Sequence, residues 1–291
     1  MGGAVLWNGA NGTLTDCNFI GNSITLVNVT NLTSVGGGAV YWNGTLGNLN
    51  NCIFTNNSVN ITGENLTNVG GGAVYWNGAN GAVLDSSFSN NVASYGGAVY
   101  WNGANGAVLD SSFSNNVAGY GGGILWYGLD GTVNGSSFSA NSANHDGGGI
   151  CWSINATNGS LSNCTFIDNI AKSGGGGIRW AGTNGTLTNS IFSNNTAING
   201  GAVYCFDCNI TMANCNFIKN SAINGGAIRW NSANSTLTNC IFTGNSAREG
   251  GAVYWMGARG RLKDSTFTDN AAINGGGAVY CQGTNIIVNN C

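Results

Sequence analysis

The chain has 291 residues, of which 7% are charged, and its formal net charge is −3. Soluble proteins typically contain about 25% charged residues, whereas this chain has few charges, no proline and 50 glycines. Its hydrophobic residues (42%) recur periodically, which excludes a disordered polymer, and no basic stripe indicates nucleic-acid binding. No segment approaches the roughly 18 uninterrupted apolar residues that would span a bilayer.

A unit of about 25 residues is repeated along the chain. Eleven copies of a Gly-Gly-Ala-Val-like tetrad alternate with ten phenylalanines, each followed three residues later by asparagine. Such a period predicts one structural unit stacked many times, so chain length sets the length of a rod. The ten phenylalanines are Phe19, Phe54, Phe88, Phe113, Phe138, Phe166, Phe192, Phe217, Phe242 and Phe267.

The first element of each unit is a strand that begins at the tetrad, as in residues 96–101. Its Val or Ile position never varies, which predicts an inward side chain. The next position accepts Arg179 and Arg229, so we expect this column to face water. Tryptophan follows two residues after Val or Ile in nine copies, and alternation places it inside or at a corner. Exposed tryptophans would instead be the strongest binding candidates.

The second and third elements flank a bend. The position five residues before each Phe is always apolar, and the position two before is always Cys or Ser. In an extended strand the Cys/Ser position and Phe lie on the same face, whereas the apolar position five before Phe lies on the opposite face. A bend must therefore separate the apolar position from the Cys/Ser position, and Asp or Asn (Gly135 in one copy) is found between them. The asparagines after Phe are predicted to hydrogen-bond from coil to coil. The sequence therefore predicts an all-β, right-handed parallel β-helix of ten to eleven coils in a single domain, residues 1–291.

Two insertions lengthen the early units. Residues 23–35 and 58–69 each add nine or ten residues at the same point of the coil, so we expect loops that project from one corner. Such loops are either recognition elements or tolerated surface features. Because Met1 runs directly into a repeat, we expect the sequence to be truncated at both ends. Flanking coils, a targeting signal and any membrane attachment would then lie in missing regions.

Six of the ten cysteines occupy the column that holds serine in other coils, which indicates a small buried group. Cys17 with Cys52, and Cys215 with Cys240, fall in adjacent coils at a separation that suits a disulfide. Side chains of stacked parallel strands point the same way, however, so the sequence leaves these pairings open.

Cys205-x-x-Cys208 has the spacing of half a metal or redox motif. No second motif of this kind follows, and the only histidine, His145, lies far away in the sequence. The sequence therefore predicts no metal site and no cofactor.

The column after Val or Ile holds the candidate binding residues. Tyrosine and arginine alternate there in four successive coils, so guanidinium groups are expected against phenol rings. Aromatic stripes on a flat sheet suit sugar rings or another protein, whereas the plainer interpretation is that tyrosine simply packs well on strands. The candidates are Tyr41, Tyr75, Tyr100, Arg179, Tyr204, Arg229, Tyr254 and Tyr280.

The alternation of Gly-Gly-Ala-Val/Ile with Phe-x-x-Asn resembles the repeats of chlamydial polymorphic outer-membrane proteins. The Asn/Thr-rich style, with Tyr-Trp after the tetrad and Asn-Cys-x-Phe before the turn, is also similar to adhesin-like surface proteins of methanogenic archaea. The resemblance covers the whole chain, and its specificity comes from ten copies in register. It implies a β-helical passenger, exposed at the outer membrane or cell wall and used in adhesion to glycans or proteins. It transfers no catalytic residue, and the barrel or anchor of such proteins is missing.

Two other functions use the same shape. Pectin-cleaving and related sugar enzymes share the β-helix, and their sites need clustered carboxylates or Ca²⁺ with a basic residue. Asp85 and Asp110 stack in adjacent coils, but their column is Asn or Asp along almost the whole rod, which favours a polar corner over an active site. A passive spacer that holds a distal domain away from the cell is the other alternative.

Overall fold

The computed structural model describes all residues, 1–291, and consists of parallel strands wound into a solenoid. Each turn contributes one strand to each of three long sheets, which we name after their inward side chains. The Trp sheet contains Val5–Trp7, Val40–Trp42, Val74–Trp76, Val99–Trp101, Ile124–Trp126, Ile150–Trp152, Ile178–Trp180, Val203–Cys205, Ile228–Trp230, Val253–Trp255 and Val279–Cys281. The Leu sheet contains Thr13–Thr15, Asn48–Asn50, Ala82–Leu84, Ala107–Leu109, Thr132–Asn134, Ser160–Ser162, Gly185–Thr188, Ile210–Ala213, Thr236–Thr238, Arg261–Lys263 and Ile287–Asn289. The Phe sheet contains Asn18–Ile20, Ile53–Thr55, Ser87–Ser89, Ser112–Ser114, Ser137–Ser139, Thr165–Ile167, Ile191–Ser193, Asn216–Ile218, Ile241–Thr243 and Thr266–Thr268.

Shorter sheets lie between the Phe sheet and the next strand of the Trp sheet in some of the turns. Their strands are Ser23–Thr30 with Ser58–Glu64, Thr33–Gly36 with Thr67–Gly70, Val117–Ala118 with Ser142–Ala143 and Ile170–Ala171, and Ser246–Glu249 with Ala271–Gly275. The structure contains no helix that could cross a membrane.

The register places like residues above one another, as the repeat predicted. Val74 pairs with Val99, and Phe88 pairs with Phe113. From Val74 onward the chain makes eight turns of about 26 residues, slightly longer than the predicted 25. Two longer turns precede them, with spacings of 35 and 34 residues. The predicted ten to eleven coils thus comprise eight regular turns and these extended ones.

The interior is a set of columns of identical side chains. Inward Val or Ile, Trp, Leu or Val, and Phe residues, together with inward Ala and Cys and with Ile210 and Met212, form one cluster of 49 buried residues. Neighbouring rings stack almost parallel, at 4.8 Å between Phe113 and Phe138 and 4.7 Å between Trp76 and Trp101. The Trp column is therefore buried, as alternation indicated, and it is not a binding surface. Each buried aromatic side chain removes a large apolar area from water, at about 25 cal/mol per Å².

The predicted bend lies at the Asp/Asn position before each Phe. Asp85 and Asp110 have φ of 47° and 48°, in the left-handed region. Asn and Asp enter this region at lower cost than other side chains because their short polar groups bond locally. The one glycine in the column, Gly135, has φ of 62°, so the position selects for the conformation rather than for a carboxylate.

The asparagines of the Phe-x-x-Asn motif form the predicted ladder inside the rod. The Nδ2 of Asn116 donates to the Oδ1 of Asn141 (2.9 Å) and to the backbone carbonyl of Phe88 (3.0 Å). Its Oδ1 accepts from the backbone N and the Nδ2 of Asn91, both at 3.0 Å. Asn116 is fully buried, so the ladder satisfies backbone groups that would otherwise lack partners at this corner.

The two insertions are ordered strands that pair with each other rather than irregular loops. Ser23–Thr30 pairs in parallel with Ser58–Glu64, and Thr33–Gly36 pairs with Thr67–Gly70. Ile24, Val35, Val59, Ile61, Val69 and Ala93 bury one another in a second small core. The insertions stack for the same reason that the coils do: each supplies alternating apolar residues that the other covers.

The shared Cys/Ser column is buried and bonds to the backbone. The Oγ of Ser86 donates to the carbonyl of Leu84 (2.7 Å), and the Sγ of Cys164 donates to that of Ser162 (3.1 Å). Cys17, Cys52, Cys215 and Cys240 are free thiols, so neither of the pairings left open by the sequence forms.

The structure instead joins Cys205 to Cys208 in a disulfide, with the two Cα atoms 5.6 Å apart. Cys205 replaces tryptophan in the Trp column, between Trp180 and Trp230. Both cysteines are buried, so the bridge fills the space that an indole fills in other coils. A structural disulfide is thus a role of this motif that the metal and redox interpretations of its spacing did not predict.

Candidate functional site

The candidate column lies on the outer side of the Trp sheet, but its first half does not face water. Tyr41, Tyr75 and Tyr100 are buried, which corrects the expectation drawn from the arginines of the column. The hydroxyl of Tyr100 donates to the Oδ1 of Asn68 (2.9 Å), and a Cβ at Gly36 would lie 2.9 Å from the ring of Tyr75. The inserted strands therefore form a second layer over this part of the sheet. Burial raises the pKa of Tyr75 to about 12.

In the second half of the column a guanidinium group lies between two phenol rings, as predicted. The Cζ of Arg229 is 5.6 Å from the ring centre of Tyr204 and 5.5 Å from that of Tyr254. Its Nε donates to the Oδ1 of Asn231 (3.1 Å), and its Nη1 donates to the Oδ1 of Asn199. Hydrogen bonds thus fix the plane of the guanidinium, which makes this part of the face rigid.

The other members of the column have different partners. The Cζ of Arg179 lies 5.8 Å from the ring centre of Phe206 rather than over a tyrosine of its own column. Tyr254 and Tyr280 are tilted by 34° and are both linked to Gln282, through bonds of 2.9 and 3.0 Å. Tyr254 is itself buried, so its ring offers little surface to a ligand.

Sequence reasoning missed the aromatic residues beside the column. Tyr95 stacks on Tyr120 with ring centres 5.7 Å apart, and Tyr120 stacks on His145 at 4.7 Å. Tyr127 stacks on Tyr100 at 5.5 Å from the opposite side of the column. Tyr95 and Tyr120 each precede a Gly-Gly pair one coil apart, and that repetition was the available signal.

No carboxylate cluster accompanies these aromatic residues. Asp85 and Asp110, the pair considered for catalysis, are exposed at the corner between the Leu and Phe sheets, away from the outer face of the Trp sheet. No group of three or more His, Cys, Asp and Glu side chains is arranged to hold a metal ion. Cys151 lies on the face but is buried, and burial raises the pKa of its thiol to about 12, which leaves a poor nucleophile.

Two protein families match this chain. The pattern described as "right handed beta helix region" matches residues 144–291. The pattern described as the Chlamydia polymorphic membrane protein repeat matches residues 85–100 and 110–125, each running from the bend through the following tetrad. No curated protein and no solved structure matches the chain.

Proposed function

The chain belongs to the right-handed β-helix family, and on that premise we propose that it is a non-catalytic part of a cell-surface adhesin. The two matches to polymorphic membrane protein repeats indicate a surface protein of the passenger type. In this proposal the outer face of the Trp sheet binds glycans or proteins of a host or neighbouring cell.

The observation that carries the proposal is the rigid aromatic patch around Arg229, which we define as Tyr204, Phe206, Arg229, Tyr254 and Met256. Its cation is held between two rings, while Phe206 and Met256 are 38% and 40% exposed. Tyrosine, tryptophan and arginine are the types most enriched at binding hot spots, and the hydrogen bonds that already hold Arg229 reduce the entropy it loses on binding. Phe206 and Met256 leave apolar surface exposed beside this positioned cation, and a bound partner would cover it.

Two further features favour adhesion over catalysis. An enzyme site needs unlike charged groups that converge within one or two coils, whereas the carboxylates of Asp85 and Asp110 belong to an Asp/Asn corner that recurs along the rod. The Cys205–Cys208 disulfide is the kind of bond that persists in oxidising compartments outside the cytosol. Both features suit a secreted, non-catalytic scaffold.

The test is binding by the whole chain immobilised on beads. The beads are incubated with cultured epithelial cells and, in parallel, the free chain is applied to a microarray of neutral and acidic oligosaccharides. Tyr204→Ser combined with Phe206→Ser should reduce binding at least tenfold, about 1.4 kcal/mol, because both rings border the guanidinium. Thr186→Ser with Thr211→Ser, on the exposed side of the Leu sheet, is the matched control and should leave binding unchanged.

The outcomes separate the alternatives. If the Tyr204→Ser, Phe206→Ser variant binds as the unmodified chain does, while substitutions on another face abolish binding, the proposed surface is rejected. A chain that binds neither cells nor any oligosaccharide would support the passive spacer. Cleavage of an oligosaccharide on the array would support the polysaccharide lyase or hydrolase alternative.

A further inference from the structure

The outer column of the Trp sheet contains a gap. Tyrosine gives way to Leu125 and Cys151 in two consecutive coils, before Arg179 restores a long side chain. The two short side chains leave a cavity of about 280 Å³ above the sheet. Both are 2% exposed, so they form a closed floor rather than an opening into the rod.

Aromatic rings form the walls of this cavity. Tyr95 and Tyr120 line one side, and their near-parallel stack continues onto His145. Tyr127 and Ser153 line the other side. Because the stacked rings support one another from coil to coil, the walls are pre-organised and a ligand loses little free energy in ordering them.

The end of the cavity is polar. Arg179 lines it, and its Nε lies 3.4 Å from the Oδ2 of Asp146. The Nε of Arg179 and the Oδ1 of Asp146 are buried and make no hydrogen bond to the protein, so this end of the cavity retains unsatisfied polar groups. Asp146 offsets the positive charge, so an uncharged ligand with hydroxyl groups suits this end better than an anion.

We propose that this cavity, bounded by Tyr95, Tyr120, Tyr127, Ser153 and Arg179, binds a single neutral hexose residue of a surface glycan. A pyranose ring has an apolar C–H face that suits the faces of tyrosine rings, and a rim of hydroxyls that accept from Arg179 and bond to Ser153. The volume of about 280 Å³ is just below the range of about 300–1,000 Å³ that is usual for ligand pockets, so the cavity suits a ligand as small as one sugar ring. This proposal rests on the proposed adhesive function and adds a ligand class and a second position on the same face.

A neighbouring cavity extends the site. It has a volume of about 220 Å³ and shares Tyr95 and Tyr127 with the first, while Leu66, Thr67, Asn68 and Tyr100 complete its lining. A glycan bound through one hexose therefore has room for a second residue toward the inserted strands.

The experiment measures binding of methyl galactopyranoside and methyl glucopyranoside to the whole chain by saturation-transfer NMR and calorimetry, with methyl galacturonate as the charged comparison. Leu125→Tyr restores the tyrosine found in preceding coils and fills the cavity. Tyr120→Ser removes a half-exposed wall and should leave the fold intact. Each should weaken binding of the neutral sugar at least tenfold. Ile241→Ser, which removes an exposed apolar side chain from the outer side of the Phe sheet, is the control and should bind as the unmodified chain does.

Neutral-sugar binding that is unchanged in both cavity variants would overturn the inference, and tighter, salt-sensitive binding of galacturonate would overturn the choice of a neutral ligand. If the chain adheres to cells while binding none of the three sugars, this inference fails and the proposed adhesin stands. If it binds neither cells nor sugars, both fail.

Discussion

Replacing Asn116 with alanine tests whether the internal asparagine ladder holds the coils together. The substitution deletes four side-chain hydrogen bonds and leaves the backbone N–H of Asn91 and the carbonyl of Phe88 without their side-chain partners. An unsatisfied buried polar group costs about 1–3 kcal/mol, so two of them should lower the free energy of unfolding by about 2–6 kcal/mol. Ser112→Ala, an exposed change in the same coil, should stay within about 0.5 kcal/mol.

The assay is urea unfolding followed by tryptophan fluorescence. The tryptophan column is buried, so its emission should shift to longer wavelength when unfolding exposes it to water. A repeat rod need not unfold in one step, so the comparison uses the midpoint of the first transition in each variant. If Asn116→Ala and Ser112→Ala shift this midpoint equally, the ladder does not contribute as described.

A second substitution at Asn116 adds a dependence on pH. Asn116→Asp keeps the acceptor but replaces the donor with an oxygen that faces the carbonyl of Phe88 and the Oδ1 of Asn141. Burial beside acceptors should raise the pKa of this carboxyl in the folded state. The protonated variant then retains stability below the unfolded pKa of about 3.9, and loses it as the pH rises through the higher folded value.

Three other predictions follow from the same packing. Gly106→Ala should destabilise by about 1–3 kcal/mol in urea, because a Cβ there meets the preceding indole, whereas Gly9→Ala, with its nearest neighbour 3.7 Å away, should not. Tyr75, whose pKa is raised to about 12, should stay protonated in ultraviolet titrations while exposed tyrosines ionise. The stability that the folded protein gains from keeping Tyr75 protonated should be complete below about pH 10 and should disappear as the pH rises through 12. A Tyr75→Phe variant should lose the part of the signal that titrates near pH 12, whereas Tyr100, whose pKa burial raises further, stays protonated there. Alkylation of the denatured, unreduced chain should modify eight cysteines but neither Cys205 nor Cys208, and mass spectrometry showing labels on either would contradict the bridge.

The sequence was sufficient to predict the solenoid because the evidence for it is local and repeated. Alternation of inward and outward positions, Asp or Asn at the bend and asparagine after Phe are each read within one unit. The stacking of Phe88 on Phe113 and the burial of Trp76 follow from register alone. Ten copies in register outweigh the weakness of any one motif.

The candidate binding face was predicted less well because it depends on what covers each coil. Arg179 and Arg229 suggested that their whole column faces water, but the inserted strands bury Tyr75 and Tyr100. The inserted strands occur in only two coils and are not part of the repeat unit. The repeat pattern therefore does not predict which side chains they cover. The cavity beside Arg179 likewise arises where Leu125 replaces tyrosine in the column. In the sequence alone, this replacement cannot be distinguished from ordinary variation among repeats.

The arrangement of like side chains in vertical columns is the claim on which the cavity, the aromatic patch and the ladder all depend. Solid-state NMR of the chain labelled with ¹³C at a single ring carbon of phenylalanine measures it directly, without substitution. The stacked column predicts a nearest-neighbour label separation of about 4.8 Å, as between the rings of Phe113 and Phe138. Separations of about 10 Å or more, the spacing across facing sheets, would show that the phenylalanines do not stack and would contradict the account.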